Sequence, residues 1–429
     1  MRVRGRPILL VPREIVENFY KYIPRVVTKS YVFHNYLLLS RVEDVFNRSF
    51  RIYNEHGLLV GYDSLMIKDF LIHKDILYLL QGRGVQIIKN ITGIIKKFSY
   101  HVADYAGETS EHLEEILDDL LQRRKENVAS FDSIPTTIFF NSEEGYFYIG
   151  TSRGEIYKMG DYPIFDKEKI PLDLPDKPIT EIIKDRKNML ILQGEKVELN
   201  EPSLSPYVLS KSNFYFTGPN KETIKIDNGG KTIKKAFLKK NNIFVLYDDE
   251  SFGFYKILRA KEIQRDSKAL KDVYKIKDAI LVEGRLYVAG QYTNGENFVG
   301  FLSLYNKKIH NVLKTKRIYF DSLGVDPDYL FVGFSTSSFG IALIPMELVN
   351  MAPKIDEPYN ELEEFQYSLY NLPMKVQEIH PGFNVIYIFG GDYHNKLLII
   401  SGEFSKLRTS SDEDLQMKLP EELDYEEGY

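Results

Sequence analysis

A short apolar run ending in a small, glycyl or aromatic residue occurs eight times in this chain, and its spacing constrains the fold more than any other feature. The runs are YLLLS at residues 36–40, LYLLQG at 77–82, FYIG at 147–150, LILQG at 190–194, IFVLY at 243–247, LYVAG at 286–290, YLFVG at 329–333 and VIYIFG at 385–390. Between their last residues the intervals are 42, 68, 44, 53, 43, 43 and 57, so four of the seven fall between 42 and 44. Each run has an apolar stretch before it, across a tight polar turn, and another after it, across a Gly- or Asp-rich turn. That is the pattern of an antiparallel meander. A meander of this size cannot bury both its faces alone, so its copies must pack on one another.

A period of about 40–45 residues is that of propeller blades, and over roughly residues 6 to 402 the chain resembles the β-propeller superfamily. The resemblance is carried by hairpins such as Tyr148-Ile149-Gly150-Thr151-Ser152-Arg153-Gly154-Glu155-Ile156-Tyr157. It is a likeness of architecture. WD40 repeats would carry Trp-Asp pairs and the chain has no Trp; Kelch repeats would carry a Gly doublet per blade, and only Gly229-Gly230 and Gly390-Gly391 occur. The expectation is an all-β fold, a single β-propeller of seven or eight blades with inserted amphipathic helices. A β-sandwich or two β-domains is the alternative. The run Ile8 to Val11 is expected to pair with the last unit and cover the open edge of the ring.

Three helical insertions are expected. Near 12–23, Pro12 opens a segment in which Ile15, Val16, Phe19, Tyr20 and Ile23 share one helical face, with Pro24 after it. Over 110–128, Leu113, Ile116, Leu117, Leu120 and Leu121 recur at helical spacing, with acids early and Arg123, Arg124 and Lys125 late, as the helix dipole favours. Over 361–372, Leu362, Phe365 and Leu369 form a weaker stripe. From 403 to 429 the β pattern stops. Asp412, Glu413, Asp414, Glu421, Glu422, Asp424, Glu426 and Glu427 stand against Lys418 alone from Ser410 onward, the composition of a disordered acidic tail. Leu415, Met417, Leu419, Leu423, Tyr425 and Tyr429 are interspersed among these charges. With Leu113, Ile116, Leu117 and Leu120 of the second helix, they are the expected partner-binding residues.

Chemistry is harder to find. The absence of Cys removes disulfides, thiolate metal sites and cysteine nucleophiles together. The eight His are scattered, with no two three to five residues apart, so no compact zinc motif is present. Gly230-Lys231-Thr232 lacks the upstream Gly of a phosphate loop, where Lys225 stands instead, and reads as a hairpin between strands at Ile224 and Ile233. Gly82-Arg83-Gly84 reads as a hairpin turn. No Gly-x-Ser-x-Gly elbow occurs. No cofactor is expected. The basic strings Lys96-Lys97, Lys234-Lys235, Lys239-Lys240 and Lys314 to Arg317 read as solvated strand edges, and a net charge of −5 disfavours a nucleic-acid partner without excluding one.

The first residues hold only a four-residue apolar run, and no stretch approaches the roughly 18 apolar residues of a membrane span. A cytoplasmic protein with no membrane contact is expected. Abundant Lys, Glu, Ile and Tyr beside no Cys resembles the usage of heat-stable proteins. The expected function is a non-enzymatic scaffold that binds protein partners through its ring surface, helical insertions and acidic tail. The alternative is a propeller hydrolase or lyase with a metal or carboxylates at the channel mouth, a site that sequence cannot assign because the ring gathers residues distant in the chain.

Overall fold

The computed structural model describes residues 9–10, 16–22, 27–42, 48–54, 59–96, 123–198, 207–219, 222–258, 263–266, 269–304, 306–352, 367–391 and 396–402. Two strands, β1 (Leu9–Leu10) and β2 (Val16–Tyr22), precede the first blade. Blade 1 is β3 (Val27–Phe33), β4 (Tyr36–Val42), β5 (Arg48–Tyr53) and β6 (Leu59–Ile67); blade 2 is β7 (Asp69–His73), β8 (Ile76–Gln81), β9 (Gly84–Lys89) and, after a short helix α1 at 91–96, β10 (Lys125–Ser130). Blade 3 is β11 (Pro135–Asn141), β12 (Tyr146–Thr151), β13 (Ile156–Gly160) and β14 (Lys167–Ile170). Blade 4 is β15 (Ile179–Asp185) and β16 (Asn188–Gln193), an inserted hairpin of β17 (Lys196–Glu198) and β18 (Tyr207–Leu209), then β19 (Asn213–Thr217) and β20 (Thr223–Lys225). Blade 5 is β21 (Ile233–Lys239), β22 (Asn242–Tyr247), β23 (Phe252–Ile257) and β24 (Ile263–Arg265); blade 6 is β25 (Val273–Val282), β26 (Arg285–Tyr292), β27 (Asn297–Ser303) and β28 (Lys308–Thr315). Blade 7 is β29 (Tyr319–Val325), β30 (Tyr329–Ser335), β31 (Phe339–Pro345), helix α2 (Met346–Met351) and β32 (Tyr367–Leu372), and blade 8 is β33 (Glu378–Pro381), β34 (Val385–Gly390) and β35 (Lys396–Gly402).

The ring has eight blades. The first strands of consecutive blades lie beside one another, as β7, β11 and β15 do, so they line the central channel. All eight apolar runs found in the sequence are second strands. Their residues point alternately to the two neighbouring blades: Leu38 packs with Phe70 and Leu77 of blade 2, whereas Leu37 and Leu39 pack with Val385 and Tyr387 of blade 8. Both faces are covered, which is why these strands are continuously apolar instead of alternating. Fourth strands such as Lys125–Ser130 and Lys167–Ile170 are largely exposed at the rim.

The ring closes where the two ends of the β region meet. Strand β2 is the outer, fourth strand of blade 8, paired antiparallel with β35 from Val16↔Gly402 to Tyr22↔Lys396. The helix expected near 12–23 is therefore a strand over Val16–Tyr22. Its Val, Phe and Tyr residues suit a pleated surface, and an edge lacking a partner decides the outcome over helical spacing. Leu9–Leu10, expected on the last unit, pairs instead in parallel with β32 of blade 7. Tyr367–Leu372, the end of the helix expected over 361–372, is that strand β32, and the end of the one expected over 110–128 falls in strand Lys125–Ser130. Residues 110–122, 361–366 and 403–429 lie outside the described residues. Gly82-Arg83 is a hairpin turn between β8 and β9. Asp227 to Gly230, expected within a hairpin, instead connects β20 of blade 4 to β21 of blade 5.

Candidate functional site

One polar position recurs on every channel-lining strand. At the fifth pair from the turn between first and second strands, counting Asp326–Tyr329 and Gly382–Val385 as the first pairs of blades 7 and 8, the residues are Lys29, Asp69, Thr137, Glu181, Lys235, Asp278, Ser322 and Glu378. The series repeats its chemistry after four blades: Lys, Asp, hydroxyl, Glu, then the same again. A β-bulge precedes the position in six blades, with the extra residue at Thr28, Thr136, Thr180, Lys234, Lys277 and Asp321. In the other two, Lys68 and Gln377 donate backbone N–H groups to Leu80 and Phe389, the residues opposite Asp69 and Glu378, giving the same two-against-one arrangement. A bulge bends a strand and re-aims the next side chain, here towards the neighbouring blade.

Four of these series members form two equivalent clasps, each across three blades. Lys29 Nζ donates to Asp69 Oδ1 at 2.8 Å and to the Phe70 carbonyl at 2.6 Å, while Asp69 Oδ2 accepts the Ile138 N–H of blade 3 at 2.9 Å. Four blades on, Lys235 Nζ donates to Asp278 Oδ1 at 2.7 Å and to the Ala279 carbonyl at 3.1 Å, while Asp278 Oδ2 accepts the Leu323 N–H of blade 7 at 2.8 Å. Each carboxylate side chain is shielded, at 12% and 3% exposure, so these charge-assisted bonds are stronger than their surface equivalents. Burial disfavours the Lys235 ammonium, but Asp278, then Glu378 and Glu181, outweigh it and hold its pKa above the usual lysine range. Glu181 and Glu378 thus share the channel mouth with Lys235.

The remaining carboxylates of the series are also engaged. Glu181 accepts from Lys211, and Glu378 Oε1 lies 2.8 Å from His380 Nε2. Ser30 Oγ of blade 1 sits 2.7 Å from the same Nε2. A serine–histidine–acid relay needs the serine and the acid on different ring nitrogens. Here both meet one nitrogen, which serves as a junction between blades 8 and 1. The fold does bring carboxylates to the channel, as the hydrolase or lyase expectation requires, and it binds each of them to a neighbour. Among the described residues no group of three or more His, Asp and Glu could hold a metal ion.

A second feature lies on the opposite face, which carries the turns between first and second strands and is called the hairpin face below. A cleft of about 310 Å³ between blades 2 and 3 is lined by Lys74, Asp75, Ile76, Lys89, Asn90, Asp161 and Tyr162. Asp161 gathers Tyr78 Oη at 2.8 Å, Lys74 Nζ at 2.8 Å and His73 Nε2 at 3.2 Å. Burial pushes the Asp161 carboxyl up, but the Lys74 and Tyr78 bonds, the Tyr162 N–H and His73 together bring it below the usual carboxylate range.

The expected partner-binding residues Leu113, Ile116, Leu117, Leu120, Leu415, Met417, Leu419, Leu423, Tyr425 and Tyr429 all lie outside the described residues. The channel series was not read from the sequence. Aligning the repeats on their hairpin turns, instead of on the ends of the apolar runs, exposes it. Of the basic strings read as solvated edges, Lys235 proves to be a clasp residue, and Lys234 donates to the Lys277 carbonyl.

No protein-family model and no curated protein matches the chain. Among solved structures, it is similar to the computationally designed Ika8 protein at 8% identity and a TM-score of 0.49, over 92% of this chain and 99% of that one. It is similar to the WD40 beta propeller domain of Doa1 at 8% identity and a TM-score of 0.37, over 79% and 94% of the two chains. Likenesses of this size carry no functional argument. The sheet order and the closure by β2 define the class: an eight-bladed β-propeller. Among the described residues no helix is long and apolar enough to cross a membrane.

Proposed function

We propose that this propeller is a non-enzymatic scaffold that binds protein partners through the faces of its ring. The observation that supports the reading is the commitment of the channel-mouth charges to neighbouring blades: Lys29, Asp69, Lys235 and Asp278 staple the ring, and Glu181 and Glu378 are bound to Lys211 and His380. Chemistry-bearing side chains of the channel serve the disc, and the two faces are left as working surface. Rigid rings of repeats characteristically present such surfaces to other macromolecules. Affinity capture of the full chain from its native host tests the reading. A partner retained in constant stoichiometry through size exclusion is expected; recovery of the chain alone would overturn it.

A further inference from the structure

Many cations on both faces of the disc are paired within the ring, Lys74 with Asp161 and Lys184 with Glu144 on the hairpin face among them. On the face opposite the hairpin turns, Lys231 pairs with Asp249 at 2.9 Å, Lys275 with Glu250 at 3.0 Å, Lys314 with Glu296 at 2.6 Å and Lys375 with Asp321 at 2.8 Å. On the hairpin face of blades 4 and 5, Arg186, Lys187, Lys240 and Lys256 are exposed, and among the described residues their side chains enter no ion pair. The turns that carry Arg186, Lys187 and Lys240 are fixed to one another, and Lys256 lies on the adjoining strand β23. Asn188 Nδ2 donates to the Lys240 carbonyl at 2.9 Å, the Lys240 N–H donates to the Asp185 carboxylate, and Lys239 Nζ donates to the Gly284 carbonyl at 2.7 Å. The result is a preorganised basic arc over blades 4 and 5, with Lys256 two strands out from the inner edge, whose four cations exceed the one carboxylate, Asp185, held in the same turns.

The chain supplies an acidic segment on the same face. Strand β35 runs towards the hairpin face, and the Gly402 N–H donates to the Asn384 carbonyl in the turn of blade 8 at 3.1 Å. The chain therefore leaves the ring beside the channel mouth that bears the arc. The segment after Gly402 places Asp412, Glu413 and Asp414 ten residues on, and Glu421, Glu422, Asp424, Glu426 and Glu427 from nineteen residues on. At about 3.3 Å per extended residue these lengths reach about 33 Å and about 63 Å. The third strand of a blade stands only two strand spacings, about 10 Å, from the inner edge. The signs of charge match, and both lengths exceed the radial distance from the third strand to the inner edge.

We infer that the acidic segment 403–429 docks on the arc formed by Arg186, Lys187, Lys240 and Lys256 of its own ring. Blades 4 and 5 thereby carry an anionic-peptide surface that this segment occupies and that an acidic partner peptide would contend for. The inference does not require the scaffold reading, because the occupant is part of the chain. Contacts between exposed charges at this rim are screened by salt, so occupancy falls as ionic strength rises.

The absence of Cys and Trp makes the test clean in the full chain. Tyr425→Trp supplies the only Trp, and a bimane on Asn241→Cys, beside Lys240, reports contact with it by quenching. A bimane on Arg153→Cys, on the opposite face, is the control. Severalfold quenching at Asn241→Cys is expected, independent of protein concentration, abolished at 1 M salt, and lost when Arg186→Glu, Lys187→Glu and Lys240→Glu are combined. The circular dichroism of that triple variant should match the parent, since all three side chains are exposed. Asp412→Asn, Glu413→Gln and Asp414→Asn together should weaken the quenching without altering the ring. Equal quenching at both positions, or none at Asn241→Cys, would overturn the inference, and quenching that appears only as concentration rises would assign the segment to a second copy and overturn it equally.

Discussion

The seam between blades 2 and 3 and the seam between blades 6 and 7 occupy equivalent places in the two halves of the ring, and they are closed differently on one side only. Near the channel they are the same: an aspartate held by the lysine of the preceding blade accepts an N–H from the following one, Asp69 from Ile138 and Asp278 from Leu323. On the hairpin face they diverge. Tyr78 and Tyr287 hold corresponding places on their second strands, but Tyr78 is tied through its hydroxyl to Asp161, with His73 and Lys74 on the same carboxylate. Tyr287 is packed instead in an apolar cluster with Val349 and Ala352 at helix α2. Where the register must be set, polar geometry is kept; where only volume must be filled, a charge network and an apolar helix serve equally well.

The largest test of this comparison removes the shared part. Asp278→Ala leaves the part-exposed Lys235 ammonium and the buried Leu323 N–H without their acceptor, and should lower stability by about 2–4 kcal/mol. Asp69→Ala removes the same bonds from a carboxylate that is 12% exposed where Asp278 is 3%, and should cost about 1–2 kcal/mol less because water reaches the orphaned groups. Denaturant midpoints with unchanged slopes would measure both; an equal or larger cost at Asp69 would overturn the assignment of the difference to exposure.

Smaller effects separate the two hairpin-face closures. Val349→Ala, at a fully buried position, should cost about 2 kcal/mol at any pH from the lost methyl burial. Asp161→Asn should cost about 1–2 kcal/mol at pH 7 and progressively less in acid. The folded pKa of Asp161 is lowered, so its contribution is complete above the unfolded value of about 4 and is lost as pH falls through the folded one. Parallel denaturation at pH 7 and below pH 3 distinguishes them, and a pH-independent cost at Asp161 would show that its role is packing alone. The smallest effect concerns the turns. Lys74-Asp75 and Glu283-Gly284 both run at positive φ, 49° and 61° against 48° and 78°. Asp75→Gly relieves left-handed strain of about 1 kcal/mol but loses the bonds it accepts from the Thr92 N–H and hydroxyl at 2.8 and 2.6 Å. The net change should stay within about 0.5 kcal/mol, as read by thermal midpoint.

The ring was legible in the sequence because the second strands are covered on both sides, and this forces apolar runs such as Leu37 to Leu39 or Leu77 to Leu80 that no solvent-facing strand would carry. The irregular intervals also have local causes. The 53-residue interval contains the extra hairpin of Lys196–Glu198 and Tyr207–Leu209 in blade 4. Closure was not legible at Val16–Tyr22, where flanking prolines and a chance helical spacing mimic a helix; only the edge of a blade completed near residue 400 selects the strand. The channel series stayed hidden for a different reason. Lys29, Asp69, Thr137 and Glu181 have no common residue type, and their equivalence lies in register with a turn whose residues also vary, from His34-Asn35 to Lys240-Asn241.

Strand β2 has a consequence for how the protein is made. It leaves the ribosome long before Lys396–Gly402, the strand it must pair with, has been synthesised. At about 5–20 residues per second the wait lasts roughly 20–75 s. Throughout that time a hydrogen-bonding edge rich in Val, Phe and Tyr is without its mate and open to other nascent chains. The latch that makes the finished ring hard to open is thus the segment most in need of protection while the ring is being built.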